Sequence, residues 1–285
     1  MKIVSWNILA NEFIKKKDYP MIATKLLFNR KTRLQTIITI LTKIDADVIL
    51  LQEVMQAEYN ALSLIFKKAY HLIQGKTLNW YNKKSYSGNV TLLKKTMFPS
   101  APVLHTNADK EIEFGLYLKC QYEASPISLN KNKTNLLANL CNIDVEQPPH
   151  IKKEQEQNTK KKYSIDIINV HLDDVSHSKR LREIKSIEED IYKANKVILG
   201  GDFNQDYKAT SQLYKFIHSS LGLNKPYIKD PTYYIEKQMS IDHIMVKGFS
   251  NNKNTNGCVV NNYGDAILDQ FIAYGSDHLP VIVQV

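Results

Sequence analysis

Short apolar runs bounded by polar residues recur along the chain: Ile3 to Trp6, Asp47 to Leu51, Val90 to Leu93, Phe114 to Cys120, Ile165 to Val170, Val197 to Leu199, Ile241 to Val246 and Val281 to Val285. Their length and β-branched content predict strands. Between them, Leu34, Ile37, Ile38, Leu41 and Ile44 recur at steps of three and four, as do Leu181, Ile184, Ile187 and Ile191. That spacing gives a helix one apolar face to lay on a sheet. Strands outnumber helices, and no regular strand–helix alternation runs the whole length. The pattern therefore predicts an α+β fold, a sandwich of two mixed β-sheets with outer helices, in preference to a doubly wound sheet.

Residues from about Ser125 to Lys162 break this pattern: they are rich in Asn, Lys, Gln and Glu, end in the run Lys160 to Lys162, and interrupt two strand-like segments. Such a composition buries little apolar surface, so it reads as a solvated insertion between paired strands. The remaining length, in a chain of 285 residues that is 43% hydrophobic, is enough for one core. A single domain over residues 1–285 with a low-complexity insertion at about 125–162 is expected.

The formal charge of +9 changes the picture by favouring polyanionic partners, although an AT-rich coding sequence also produces surplus lysine. Cys120, Cys141 and Cys258 stand far apart with no CxxC pair, so reduced, mostly buried thiols are expected, with neither a structural zinc site nor a disulfide framework. No apolar run approaches the roughly 18 residues of a membrane span. The start MKIVSWNIL mixes polar and apolar residues. A monomer without an obligate protein partner, intracellular (cytoplasmic or nuclear) and not secreted, is the expectation.

Candidate chemistry collects at the ends of the apolar runs. IVSWN ends at Asn7, DVILLQE at Glu53, IDIINVH at His171, and VILGGDFN at Asp202 and Asn204. Two later segments reverse the order, since Asp242 precedes IMV, and Asp277 with His278 precedes VIVQV. If those last strands run antiparallel to the first four, every polar group lands on one edge, where a rigid scaffold presents reactive groups. A carboxylate such as Glu53 suits a hard divalent cation, and Asn and His offer hydrogen bonds to phosphate oxygens without adding negative charge. Asp202, after the Gly200-Gly201 pair, suits a base that orients and deprotonates water. An Asp242–His278 pair would keep a cation facing a phosphate. Singly, each residue also has an ordinary explanation as a cap, a turn former or a satisfied structural group.

The ordered series SWNILA, DVILLQEV, NVHLDD, GGDFNQD, SIDHIMV and GSDHLPV resembles, over Met1 to Val285, the superfamily that includes pancreatic-type deoxyribonucleases, abasic-site endonucleases, nocturnin-like deadenylases and inositol polyphosphate phosphatases. The resemblance implies a four-layer αββα sandwich. It implies Glu53 as ligand of Mg²⁺, or Mn²⁺, supported by Asn7, and His171 and Asn204 on the scissile phosphate. It further implies Asp202 aligning the attacking water, and His278, oriented by Asp242, stabilising the transition state. Asp277 is similar to a residue with metal-binding or acid roles. Leu9 stands where abasic-site endonucleases carry Asp, which counts against a second metal and against that substrate. Ser240-Ile241-Asp242-His243 replaces the Trp-Cys/Thr-Asp-Arg segment of inositol phosphatases. WNILA, the Arg33 helix and LQEV followed by Glu58-Tyr59 look more like the nocturnin-like branch.

Other catalytic classes lack their signatures. Gly75-Lys76-Thr77 has Tyr70 where a phosphate-cradling loop needs its first glycine, and no GxSxG elbow occurs. The sequence thus favours hydrolysis of an RNA or DNA phosphodiester. Trp80, Tyr81 and Tyr86 beside Lys83 and Lys84 are a candidate stacking surface. A phospholipid head group or small phosphate ester is the alternative substrate, and an inactive nucleic-acid-binding module the alternative class.

Overall fold

Alternation with a period of two, apolar on both faces, dominates the central strands. On the strand Val197–Asp202, Ile198 faces one apolar cluster while Val197 and Leu199 face another. The strand Lys161–His171 divides in the same way, with Ile165 and Ile167 on one side and Ile168 and Val170 on the other. Strands buried on both faces must be covered on both, so each sheet is sandwiched between its partner sheet and a helical layer.

The computed structural model describes residues 1–75, 87–104, 114–124, 161–208, 210–225, 228, 230–235, 238–249, 256–261 and 267–285. The strands are β1 (Lys2–Asn7), β2 (Val48–Met55), β3 (Tyr70–Gln74), β4 (Ser87–Lys94), β5 (Val103–Leu104), β6 (Gly115–Ala124), β7 (Lys161–His171), β8 (Val197–Asp202), β9 (Asp242–Lys247), β10 (Asn256–Val259) and β11 (Val281–Gln284). They form a six-stranded sheet in the order β10-β11-β1-β2-β4-β3 and a five-stranded sheet in the order β5-β6-β7-β8-β9. The helices are α1 (Thr24–Leu27), α2 (Arg30–Ile44), α3 (Gln56–Phe66), α4 (His177–Lys185), α5 (Glu188–Lys193), α6 (Gln212–Lys215) and α7 (Ile267–Tyr274).

The helices take the outer layers. Helix α2 starts where the Asn29 side chain accepts a hydrogen bond from Thr32 N and stops at Asp45 in the left-handed region, and its Ile37, Leu41 and Ile44 enter the main core. Ile184 of α4, Ile191 of α5 and Leu213 and Tyr214 of α6 cover the far face of the five-stranded sheet. Between the sheets, β1 packs on β8 and β9, and β2 on β7 and β8. Gly200 permits that approach: a Cβ there would lie 2.7 Å from Leu50 Cδ1. Gly201 has φ +148°, and a Cβ would lie 1.9 Å from Val170 O.

Every run read as a strand is one, and the two mixed sheets with outer helices are those expected. The single amphipathic pattern over Leu181 to Ile191 instead folds as α4 and α5, broken at Ser186 and Ile187, because apolar spacing runs on through a turn that interrupts the helical backbone. Lys161 and Lys162, assigned to the insertion, already belong to β7, and Ala124 pairs with Lys161 across the β6–β7 ladder. The rest of that segment, with Cys141, lies outside the described residues. Cys258 is disulfide-bonded and Cys120 is a free, buried thiol, so the expectation of three reduced thiols is corrected. Distance along the chain does not limit which cysteines the fold brings together. Among the described residues no helix is long and apolar enough to cross a membrane.

Candidate active site

Strand direction assembles the site. β1 and β2 run parallel and β11 antiparallel to β1, while β7 and β8 run parallel and β9 antiparallel to β8. The C-terminal ends of β1, β2, β7 and β8 therefore share an edge with the N-terminal ends of β9 and β11. In the five-stranded sheet His171, Asp202 and Asp242 are successive register partners, forming one row. In the other sheet the β2–β4 register slips between Leu51 and Val54, and Glu53 sits in that irregularity with φ +56°. A non-glycine residue in this region is strained by about 1 kcal/mol or more, a conformation found where the surroundings dictate it.

A buried polar network locks the two sheets just behind the edge. Asn169 Nδ2 donates to Leu51 O and Val90 O, both at 3.1 Å, and its Oδ1 accepts from Gln52 Nε2 at 2.7 Å. Asn89 Nδ2 donates to Asn169 O at 2.8 Å. These bonds run from β7 to β2 and β4, so they set the height of His171 against Glu53.

The edge groups then meet across the sandwich. Asn7 Nδ2 donates to Glu53 Oε1 at 2.8 Å and to Asp202 Oδ2 at 3.0 Å, and Ala10 N donates to Glu53 Oε2 at 2.8 Å. Asp202 Oδ1 accepts from Asn204 N at 2.8 Å, while Asn204 Nδ2 donates to Leu172 O at 2.8 Å. His171 Nε2 stands 3.8 Å from Asp202 Oδ2 and 3.9 Å from Glu53 Oε1. From the opposite side His278 Nε2 also stands 3.8 Å from Asp202 Oδ2, while its Nδ1 lies 2.8 Å from Asp242 Oδ2. Asp277 accepts from Tyr19 OH at 2.9 Å, and its other oxygen is 4.0 Å from His278 Nε2.

Burial sets the electrostatics. Desolvation raises the Glu53 pKa above the usual carboxylate range, against the pull of His171. Desolvation alone would lower His278, but Asp242 and then Asp277 outweigh it and hold the imidazole well above its ordinary value. Burial also raises Asp242, against His278. Asp242 thus orients the His278 imidazole and favours its charged form. Among the described residues, Asp202, Asp242 and His278 each offer a ligand atom within 4.8 Å of the others. A second pair of carboxylates is Glu53, held by Asn7, and Asp277, near enough for its charge to raise the Glu53 pKa.

All eight residues singled out in the sequence, Asn7, Glu53, His171, Asp202, Asn204, Asp242, Asp277 and His278, lie on this edge. The sequence reading does not reach their supports. Ser276 Oγ donates to Asn7 O at 2.8 Å and accepts from His278 N at 3.2 Å. Thr232 Oγ1 accepts from Asp242 N at 3.1 Å, and Tyr19 holds Asp277. Ser276 lies inside the GSDHLPV motif, which is the one local signal available; Tyr19 and Thr232 carry none. The Trp80, Tyr81, Lys83, Lys84 and Tyr86 cluster lies outside the described residues.

The model of the Endonuclease/Exonuclease/phosphatase family matches residues 4–278. No curated protein sequence matches the chain. Similar solved structures include ANGEL2, a 2',3'-cyclic phosphatase, in complex with adenosine-2',3'-vanadate, at 15% identity and TM-score 0.62, covering 99% of this chain and 94% of that one. A functionally unknown conserved protein from Enterococcus faecalis is similar at 16% identity and TM-score 0.60, covering 100% and 98%. The human Nocturnin catalytic domain with bound sulfate is similar at 15% identity and TM-score 0.59, covering 99% and 93%. At these identities the likeness is one of fold.

Proposed function

The chain belongs to the Endonuclease/Exonuclease/phosphatase family, and from that premise we propose that it is a divalent-cation-dependent phosphodiesterase that hydrolyses a nucleic-acid phosphodiester by in-line attack of an activated water. The observation that carries the reading is the surroundings of Asp202. One buried carboxylate is flanked by two imidazoles, each 3.8 Å away, and is held by Asn7 and by the Asn204 backbone. Hydrolysis of a phosphodiester needs a base for the water inside a ring of donors for the phosphoryl oxygens, and this arrangement supplies both.

In this reading Asp202 orients the water and takes its proton. His171, partly open to solvent, and Asn204, through its second amide hydrogen, bind the scissile phosphate. His278, kept charged and aimed by Asp242, stabilises the negative charge that builds as the bond breaks. Glu53, supported by Asn7, and Asp277 would hold Mg²⁺ or Mn²⁺. The donor set fits, because Glu53 and Asp277 offer hard carboxylate oxygens without a thiolate, and among the described residues no Lys or Arg is hydrogen-bonded to the largely buried Glu53. Such a cation polarises phosphoryl oxygens and offsets charge. The Asp202, Asp242 and His278 group is the weaker cation site, since His278 Nδ1 and Asp242 Oδ2 are already bonded to each other.

The net charge of +9 supports a polyanionic substrate. The test is a rate comparison with purified protein on single-stranded RNA, single-stranded DNA, abasic duplex, phosphoinositide and a nucleoside 2',3'-cyclic phosphate, with Mg²⁺ and with excess chelator. Cleavage of RNA or DNA that stops in chelator and weakens with salt is expected. Full turnover in chelator would remove the cation, and turnover confined to the phosphoinositide or the cyclic phosphate would move the substrate class.

A further inference from the structure

Two buried arginines lie behind the site, and the chemistry above uses neither. Arg33 is the fourth residue of α2, and Arg180 the fourth of α4; each points from an outer helix toward the catalytic edge. Arg33 Nε donates to Gly275 O at 2.6 Å, Nη1 to Asn11 Oδ1 at 2.6 Å, and Nη2 to Ile8 O at 3.0 Å and to Leu9 O. Gly275, with φ +71°, lies so close to α2 that a Cβ there would be 2.9 Å from Arg33 O. Arg33 therefore ties the segment leaving Asn7 to the segment entering Ser276, Asp277 and His278. Arg180 repeats the device on the other sheet. Its Nη1 donates to Asp173 O at 2.7 Å and its Nε to Gln205 Oε1 at 3.3 Å, joining the segment after His171 to the segment after Asn204.

Stability alone is a poor reason for such groups. Both arginines are buried, and among the described residues the acceptors of both are uncharged oxygens. Desolvating a guanidinium is costly, and an apolar side chain of similar length would fill the space without that cost. What an apolar chain cannot do is fix two loops at once, since only the planar fork holds several acceptors in a set geometry. The loop that Arg33 clamps also contains strain to be held, with Leu9 at φ +56° between Asn7 and the Ala10 N–H that binds Glu53.

We infer that Arg33 and Arg180 are positioning residues for the reaction: each couples two strand-end loops of one sheet, Arg33 holding Asn7 against Asp277 and His278, and Arg180 holding His171 against Asp202 and Asn204. The inference rests on the phosphodiesterase reading for its kinetic part. Its structural part stands on the loop geometry and has a readout of its own.

The experiment compares wild type with Arg33→Lys, Arg33→Met, Arg180→Lys and Arg180→Met. Single-turnover kcat and KM are measured on the best wild-type substrate, alongside residue-resolved amide hydrogen exchange without substrate or metal. Misplacing reactive groups by about 1 Å lowers rates by a factor on the order of 100. Arg33→Lys is expected to lose about that much kcat with KM little changed. Amide protection should fall at Ala10 and His278 while that of Val4 and Ile49 in the strands is retained. Arg180→Lys should do the same for Leu172 and Asn204. The Met variants show whether the fold survives without the charge; the Lys variants keep the test open if they do not fold. Folded variants with wild-type kcat and wild-type protection would overturn the inference. So would protection lost evenly over the molecule with kcat falling only as the folded fraction does, which is a purely structural role. A wild type that cleaves nothing would sink the phosphodiesterase reading instead, and loop exchange would still decide the clamp.

Discussion

At the scale of single residues, the site is held at the expense of the free protein. Glu53 is largely buried, strained at φ +56° and, among the described residues, hydrogen-bonded by the neutral donors Asn7 Nδ2 and Ala10 N, and burial raises its pKa. A carboxyl whose folded pKa is raised binds its proton more tightly in the fold. Its ionised form therefore destabilises the fold above the folded pKa, and the penalty fades as pH falls through that value. Glu53→Gln removes the charge and keeps the shape. In chelator at pH 8 it should be more stable than wild type by about 1 kcal/mol, or about 2–4 °C in unfolding midpoint. The difference should shrink toward pH 5, while cation binding and activity are lost. Thermal unfolding at the two pH values checks this, and a destabilised Glu53→Gln in chelator would show that the carboxylate serves structure.

Elements carry the next level of constraint. The backbone of β7 and β8 must come close enough for His171 and Asp202 to face each other in register, and Gly201 is where that contact has no room. Gly201→Ala puts a Cβ into the Val170 backbone at a φ that alanine rarely adopts, so a loss of about 3 kcal/mol or more is expected, and activity with it. Chemical denaturation measures the loss; a variant within 1 kcal/mol of wild type would mean that the β7–β8 spacing gives way freely. The core strands of the two sheets are legible in the sequence because a strand buried on both faces leaves a nearly continuous apolar run. β3, β5 and β10 are not, because short strands near a sheet edge bury little and leave a weak pattern. Helix α3 is missed for a different reason: it follows β2 without a break, and Glu58 stands in the row Glu58, Leu62 and Phe66 that it buries, so the stripe begins on a charged residue. The eight site residues are legible because each closes or opens an apolar run. Asn169 opens the NVHLDD motif and Arg33 lies on a helix that the resemblance includes, but their roles are illegible, as are Arg180 and Tyr19 altogether, because their partners are backbone carbonyls or side chains far along the chain, and no local spacing encodes those.

At the scale of the whole molecule, the account is one of two sheets meeting along a single functional edge, with the segment between β6 and β7 outside that plan. Ala124 and Lys161 are ladder partners, so the ends of the segment lie side by side at the far end of the hairpin from His171. Replacing residues 125–160 with a short Gly-Ser turn is expected to leave the protein folded and soluble, because closing so short a span costs little. An unfolded product would make that segment part of the core. The central claim is that both sheets converge on Asp202 as the base for water. Asp202→Asn tests it: the variant keeps the size of the side chain but loses the charge that His171 and His278 flank, and it can no longer accept from both Asn7 Nδ2 and Asn204 N. The measurement is single-turnover cleavage of a labelled single-stranded oligonucleotide at saturating enzyme with Mg²⁺, beside a separate binding titration. The account predicts binding retained and cleavage slowed by about 100-fold to 10,000-fold; cleavage by Asp202→Asn at close to the wild-type rate would contradict it.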